Sequence, residues 1–195
     1  DVVLTAPEDA YSRTFVDTVG SSPALMNTGN ALCELSFSRE SVGNNFAGGG
    51  HLDANMWARG VMVHELAHCL DVRRDFTGPS GAWSNVLAIS PHDRNTINNG
   101  TSYYQIAAHK LSTQLWREAV ADIMAVGFWR LHLRPVIAQN YSASLRKKRT
   151  ARTDDAAHST TCWIDVASST VAPTSDEDLF NWADRVRTSA SCGKK

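Results

Sequence analysis

The stretch DANMWARGVMVHELAHCLD, residues 53–71, decides how the chain is read. Asp53 is placed to cap a helix N-terminus. Met56, Trp57, Gly60, Val61, Val63, Leu66, Ala67 and Leu70 give that helix a broad apolar surface. In its middle stands His64-Glu65-Leu66-Ala67-His68, the pattern H-E-x-x-H. Residues i and i+4 are neighbours on one helix face, so the two imidazoles reach a common point. A zinc ion takes such nitrogens at roughly 2.0–2.1 Å. Glu65 projects to the side of the same face, where a carboxylate can take a proton from water at the metal. With 7 histidines in 195 residues, chance produces this pattern in about one such chain in a hundred. Two satisfied core histidines beside an incidental Glu are the bland alternative. On a largely apolar helix, two imidazoles and a carboxylate cost free energy unless something satisfies them.

A catalytic zinc needs a third protein ligand and one open position. The extended pattern with a Gly and a further His fails, because those positions hold Asp71 and Arg74. Downstream of the motif the only glutamates are Glu118 and Glu177. Glu118 lies in Trp116-Arg117-Glu118-Ala119-Val120-Ala121-Asp122, inside a second apolar helix, where a lone carboxylate calls for a metal or a cation. Asp122 follows one turn later on the same face, placed to accept the free N–H of a ligating His and fix its tautomer. A surface Glu118 paired with Arg117 or Arg130 is the alternative.

His64-Glu65-x-x-His68-x-x-Asp71 followed by Glu118-Ala119-Val120-Ala121-Asp122 resembles the gluzincin branch of the zincin metallopeptidases. The resemblance covers two helices. It implies Zn²⁺ held by His64, His68 and Glu118, with Glu65 as general base and acid. It implies Asp122 as the partner of a ligand His, His64 first, and Asp71 as a further residue around the site. It also implies an α+β fold, mostly helical, with a small sheet whose edge strand precedes the active-site helix. The expected function is zinc-dependent hydrolysis of a protein or peptide, peptidoglycan stem peptide included. Such enzymes use a Tyr or His to stabilise the oxyanion. Tyr103, Tyr104, His109 and His92 precede the Glu118 segment, and none is assigned. His51, His132 and His158 show no partner pattern.

The main rival is a non-catalytic, zinc-stabilised interaction module that keeps the helix pair; an intact Glu65 argues against it. A di-iron bundle needs a second Glu-x-x-His, which the sequence lacks. A serine hydrolase would need Gly-x-Ser-x-Gly, also lacking. Lysines and arginines number 19 against 20 acids, so a nucleic-acid partner is not expected. With no run of apolar residues long enough to span, neither is a membrane segment. The length fits a single domain over residues 1–195, expected to be a monomer.

Cys33, Cys69, Cys162 and Cys192 are an even set, and the chain starts at Asp1 without a Met. Both point to a processed, secreted or periplasmic protein with disulfides Cys33–Cys69 and Cys162–Cys192. A cysteine at i+5 from His64 is off the ligand face, so Cys69 is not read as a ligand. Elsewhere the pattern predicts a short helix over 7–19, a strand over 31–38 and a loop over 39–51. It predicts an irregular connector over 72–100, a helix within 103–133 and a last helix over 176–186. The basic run 145–152, LRKKRTAR, reads as a solvated face or loop.

Overall fold

The computed structural model describes residues 2–5, 13–17, 32–36, 52–76, 86–98, 100–151 and 154–192. Six helices build the packed body: α1 (Ala54–Arg73), α2 (Gly100–His109), α3 (Leu111–His132), α4 (Pro135–Ala151), α5 (Thr161–Ser169) and α6 (Leu179–Ser189). Three short strands precede them, β1 (Val2–Thr5), β2 (Arg13–Asp17) and β3 (Leu32–Ser36).

The expected α+β class is corrected to a helical one. The packed body is about three-quarters helix, and no strand lies among described residues 52–192. Two stretches in which no helix was expected account for the difference, 135–151 and 161–169. Both fold as helices and complete the wall that a sheet would otherwise supply. The edge-strand expectation fails as well. β3, the strand that precedes α1 among the described residues, is the middle strand, parallel to β1 and antiparallel to β2, and so is not an edge strand. Arg13–Asp17 is extended, where a helix over 7–19 was expected; the rest of that span, and the 39–51 loop, lie outside the described residues.

At the centre runs α3. Every residue from Ala119 to Gly127 is buried, so α3 has no solvent face along this length. It packs against α1, α4, α5 and α6. Small residues let these neighbours approach closely. A Cβ at Gly127 would meet the Trp182 ring and Leu179 of α6, and one at Gly60 of α1 would overlap the Trp129 indole of α3. Gly60→Ala is therefore expected to destabilise the fold by about 1–3 kcal/mol despite the better helix propensity of Ala. A urea melt checks this; an unchanged midpoint would mean that the α1–α3 contact gives way freely.

α1 begins where expected. Asp53 caps it, its Oδ1 accepting the Met56 N–H at 2.8 Å. Trp57, Gly60, His64, Ala67, His68 and Asp71 form one buried stripe at spacings of three and four. The helix expected within 103–133 is two, broken at Lys110. α4 starts with Pro135 at its first position, where a missing N–H costs nothing. The last helix runs over Leu179–Ser189, shifted from 176–186. Cys162–Cys192 is a disulfide joining α5 to the C-terminal end. Cys69 is disulfide-bonded as well, while the side chain of Cys33 lies outside the described residues.

Candidate metal centre

The buried stripe of α1 meets the buried length of α3, and the two i, i+4 pairs face each other. His64 Nε2 lies 3.4 Å from Glu118 Oε2, and His68 Nε2 lies 3.3 Å from Glu118 Oε1. The two imidazoles stand edge to face with centroids 5.0 Å apart. One ligand atom from each of His64, His68 and Glu118 falls within 4.8 Å of the others. His64 Nδ1 lies 3.0 Å from Asp122 Oδ1. That contact places the Nδ1 proton toward Asp122 and turns Nε2 toward Glu118.

Asp122 is fully buried and needs several partners. Arg149 of α4 donates to both its oxygens at 2.8 and 2.7 Å, and the Thr160 hydroxyl donates as well. Arg149 belongs to the basic run read as a solvated face. Only part of that run is solvated: the Arg146 side chain is 49% exposed, the Arg149 side chain 10%. Ala138, Tyr141, Ser142, Leu145 and Arg149 share one face of α4, and Arg149 extends that inward face.

His158 is the second residue that sequence reasoning passed over. It ends a short 3-10 turn between α4 and α5. Its Nε2 lies 3.1 Å from Glu118 Oε2, and its Nδ1 lies 2.6 Å from Asp155 Oδ2. No local periodicity marks it; Asp155 and His158, at i and i+3 beside a turn, are its only signal.

The other expected residues divide. Glu65 is half-buried and lines, with His64, Asp122 and His158, a pocket of about 280 Å³. Asp71 meets neither histidine. Its carboxylate accepts from buried Arg187 at 2.9 Å twice and from Arg74 at 2.6 Å. Arg187 also donates to the carbonyl of Trp116 and to Asp184. Asp71 thus ties the end of α1 to α3 and α6. Tyr103 is buried against Asp75, and His92 and His109 are exposed. The side chain of Tyr104 lies outside the described residues. Arg130 donates to the carbonyl of Ala167 and is not the partner of Glu118.

Charge holds this cluster together. Burial disfavours the His64 imidazolium, but Asp122 and Glu118 outweigh it and push His64 up to about 10. Burial would raise Glu118, yet His68, His158 and His64 hold it well below the carboxylate range. Asp122 is likewise held down, against burial, by Arg149 and His64. For metal-free protein the sign follows. His64 binds its proton more tightly folded than unfolded, so the stabilisation is complete below pH 6.5 and is lost toward about pH 10. The Tm of chelator-treated protein is expected to fall over that window; a flat alkaline limb would show that His64 is not proton-bound in this cluster.

The donor set fits zinc. Two imidazole nitrogens and a carboxylate oxygen are what zinc takes in an open site. Two imidazole nitrogens this close to one carboxylate need a proton or a cation between them. His68 Nδ1 is buried with no hydrogen-bond partner among the described residues, and the ring's Nε2 faces Glu118. Comparison with known proteins identifies nothing: no family model, curated protein or solved structure gives a significant match.

Proposed function

We propose that the chain is a zinc-dependent peptidase of the gluzincin type, acting on a protein or peptide. The observation that carries this reading is the convergence of His64, His68 and Glu118, with His64 and Glu65 both lining one pocket. A structural zinc has no use for a carboxylate at that place. Bound by those three residues, zinc supplies Lewis acidity, which lowers the pKa of water and polarises a carbonyl.

The chain's own residues do the rest. Glu65 takes the proton from the attacking water and returns it to the leaving amine. Asp122 holds the His64 ring in one tautomer, with Arg149 and Thr160 holding Asp122 in turn. His158, held between Asp155 and Glu118 on the wall of the same pocket, steadies the Glu118 carboxylate. The disulfides accord with a secreted or periplasmic site of action. No helix among the described residues is long and apolar enough to cross a membrane.

The test is zinc content together with hydrolysis of an unfolded protein substrate. About one zinc per chain, with activity lost to a chelator and restored by zinc, is expected. Zinc without hydrolysis of any peptide would favour the interaction module instead. No zinc would overturn both.

A further inference from the structure

A second cavity lies away from the metal cluster, where the end of α3 meets α4 and α5. It measures about 260 Å³ and is lined by Arg130, Pro135, Gln139, Ser142, Ser168 and Ala172. It shares no lining residue with the pocket beside His64. Arg130 is the one charge on its wall, and no carboxylate lines it among the described residues. The guanidinium gives one N–H to the carbonyl of Ala167, in the last turn of α5. Its other N–H groups have no partner among the described residues, and none of them is sealed from solvent. Acids on the neighbouring segments are already taken: Asp165 of α5 by Arg146 at 2.7 Å, and Asp176 by His132 at 2.8 Å. Burial accordingly lowers the Arg130 pKa with no acid to raise it.

The rest of the lining narrows the ligand. Ser168 gives its proton to the carbonyl of Ile164 at 2.7 Å, and Ser142 gives its own to that of Ala138 at 3.1 Å. A hydroxyl has one proton, so these oxygens have lone pairs left to offer. Gln139 is exposed, without a hydrogen bond among the described residues, and adds an amide carbonyl beside its NH2. The cavity therefore sets a planar fork of donors beside acceptors for an N–H. A phosphate, all acceptor, would meet those lone pairs; a carboxylate with an N–H next to it satisfies both sides. That pair of groups is the end of a peptide chain. Apolar surface for its side chain is at hand. Val136 and Val171, the most exposed large hydrophobics among the described residues at 70% and 83%, adjoin Pro135 and Ala172 in sequence. Val171 is held in place, its carbonyl accepting the Trp182 indole N–H at 2.8 Å.

We infer that this cavity binds the C-terminal residue of a peptide, with the carboxylate on Arg130 and the backbone N–H on the oxygens of Gln139 and Ser168. Its volume, just below the range of small-molecule pockets, suits one residue and not a long ligand. The inference stands apart from the peptidase reading, because neither Glu65 nor a proposed metal ligand takes part in it.

N-acetylleucine carries the carboxylate and the N–H, and N-acetylleucinamide keeps the same body without the charge. Both are titrated into the zinc-loaded protein and followed by the NMR shifts of the Gln139 side-chain amide and the Ala172 N–H. The acid is expected to move both signals and to bind about tenfold tighter than the amide. Arg130→Gln can still donate to the Ala167 carbonyl, and it is expected to remove that tenfold difference. Gln139→Glu sits at an exposed position, so the fold should be kept, and it sets a carboxylate before Arg130. It is expected to weaken the acid by about tenfold as well. A carboxylate seated on the zinc would respond to neither variant and would leave both signals unmoved. That result, or equal affinities for acid and amide, would overturn the inference. Acetate or inorganic phosphate binding as tightly as N-acetylleucine would overturn it too, because the N–H and the side chain would then count for nothing.

Discussion

Glu65→Gln is expected to keep its zinc and to lose turnover by a factor of about 10²–10⁴, the usual contribution of a general acid–base group. Gln matches Glu in shape, so the α1 stripe and the pocket wall keep their form. The side chain stands next to His64 in sequence but is not among the three that converge on one point. Zinc stoichiometry should therefore be unchanged. What the amide cannot do is take a proton and return it. If the chemistry is as proposed, kcat falls while KM moves little, because Glu65 acts on the water and not on substrate binding. Zinc content and steady-state kinetics on the same preparation decide the matter. A variant with full zinc and full activity would sink the assignment of Glu65, and the base would have to be sought elsewhere in the pocket.

The parts of this site that were legible in the sequence are those written in helical spacing. His64 with His68, and Glu118 with Asp122, are each one turn apart, and their geometry needs no knowledge of the fold. That the two helices face each other followed from their apolar surfaces, and α1 does pack on α3. His158 and Arg149 were not legible in the same way. His158 reaches Glu118 only because a turn between α4 and α5 folds over the centre. Arg149 sits among residues that are mostly solvent-facing, and one buried cation in a basic run carries no composition signal. Asp71 was misdirected for the same reason. Its buried position on the α1 stripe was readable, but its partner Arg187 lies far along the chain. The fold class failed where tertiary packing outweighs local pattern. α5 has nine residues, and α4 carries a polar face that hides its inward stripe.

Glu118→Ala is expected to reduce zinc from about one per chain to a trace at micromolar metal, as loss of one of three ligands requires. Losing only an outer partner of a ligand costs about 10–100-fold in affinity, and losing the ligand itself should exceed that. Because the Glu118 side chain is only 15% exposed and sits among cations, the variant also changes the metal-free protein. His64, His158 and Arg149 all lie within 4 Å of its carboxylate. Without it, Asp122 is the only carboxylate left to hold His64 protonated, so the alkaline loss of stability should begin at lower pH. Arg149 keeps both bonds to Asp122, so the fold itself should survive, and circular dichroism with a thermal melt would show it. A competition titration against a chromophoric chelator then reads zinc affinity on folded protein. Unchanged affinity would remove Glu118 from the ligand set and reopen Asp93, His92 and His109. Of these, Asp93 already accepts the Ser112 and Thr113 hydroxyls, so it would have to give up bonds to bind a metal. Glu118 already faces the two imidazoles that would share the ion.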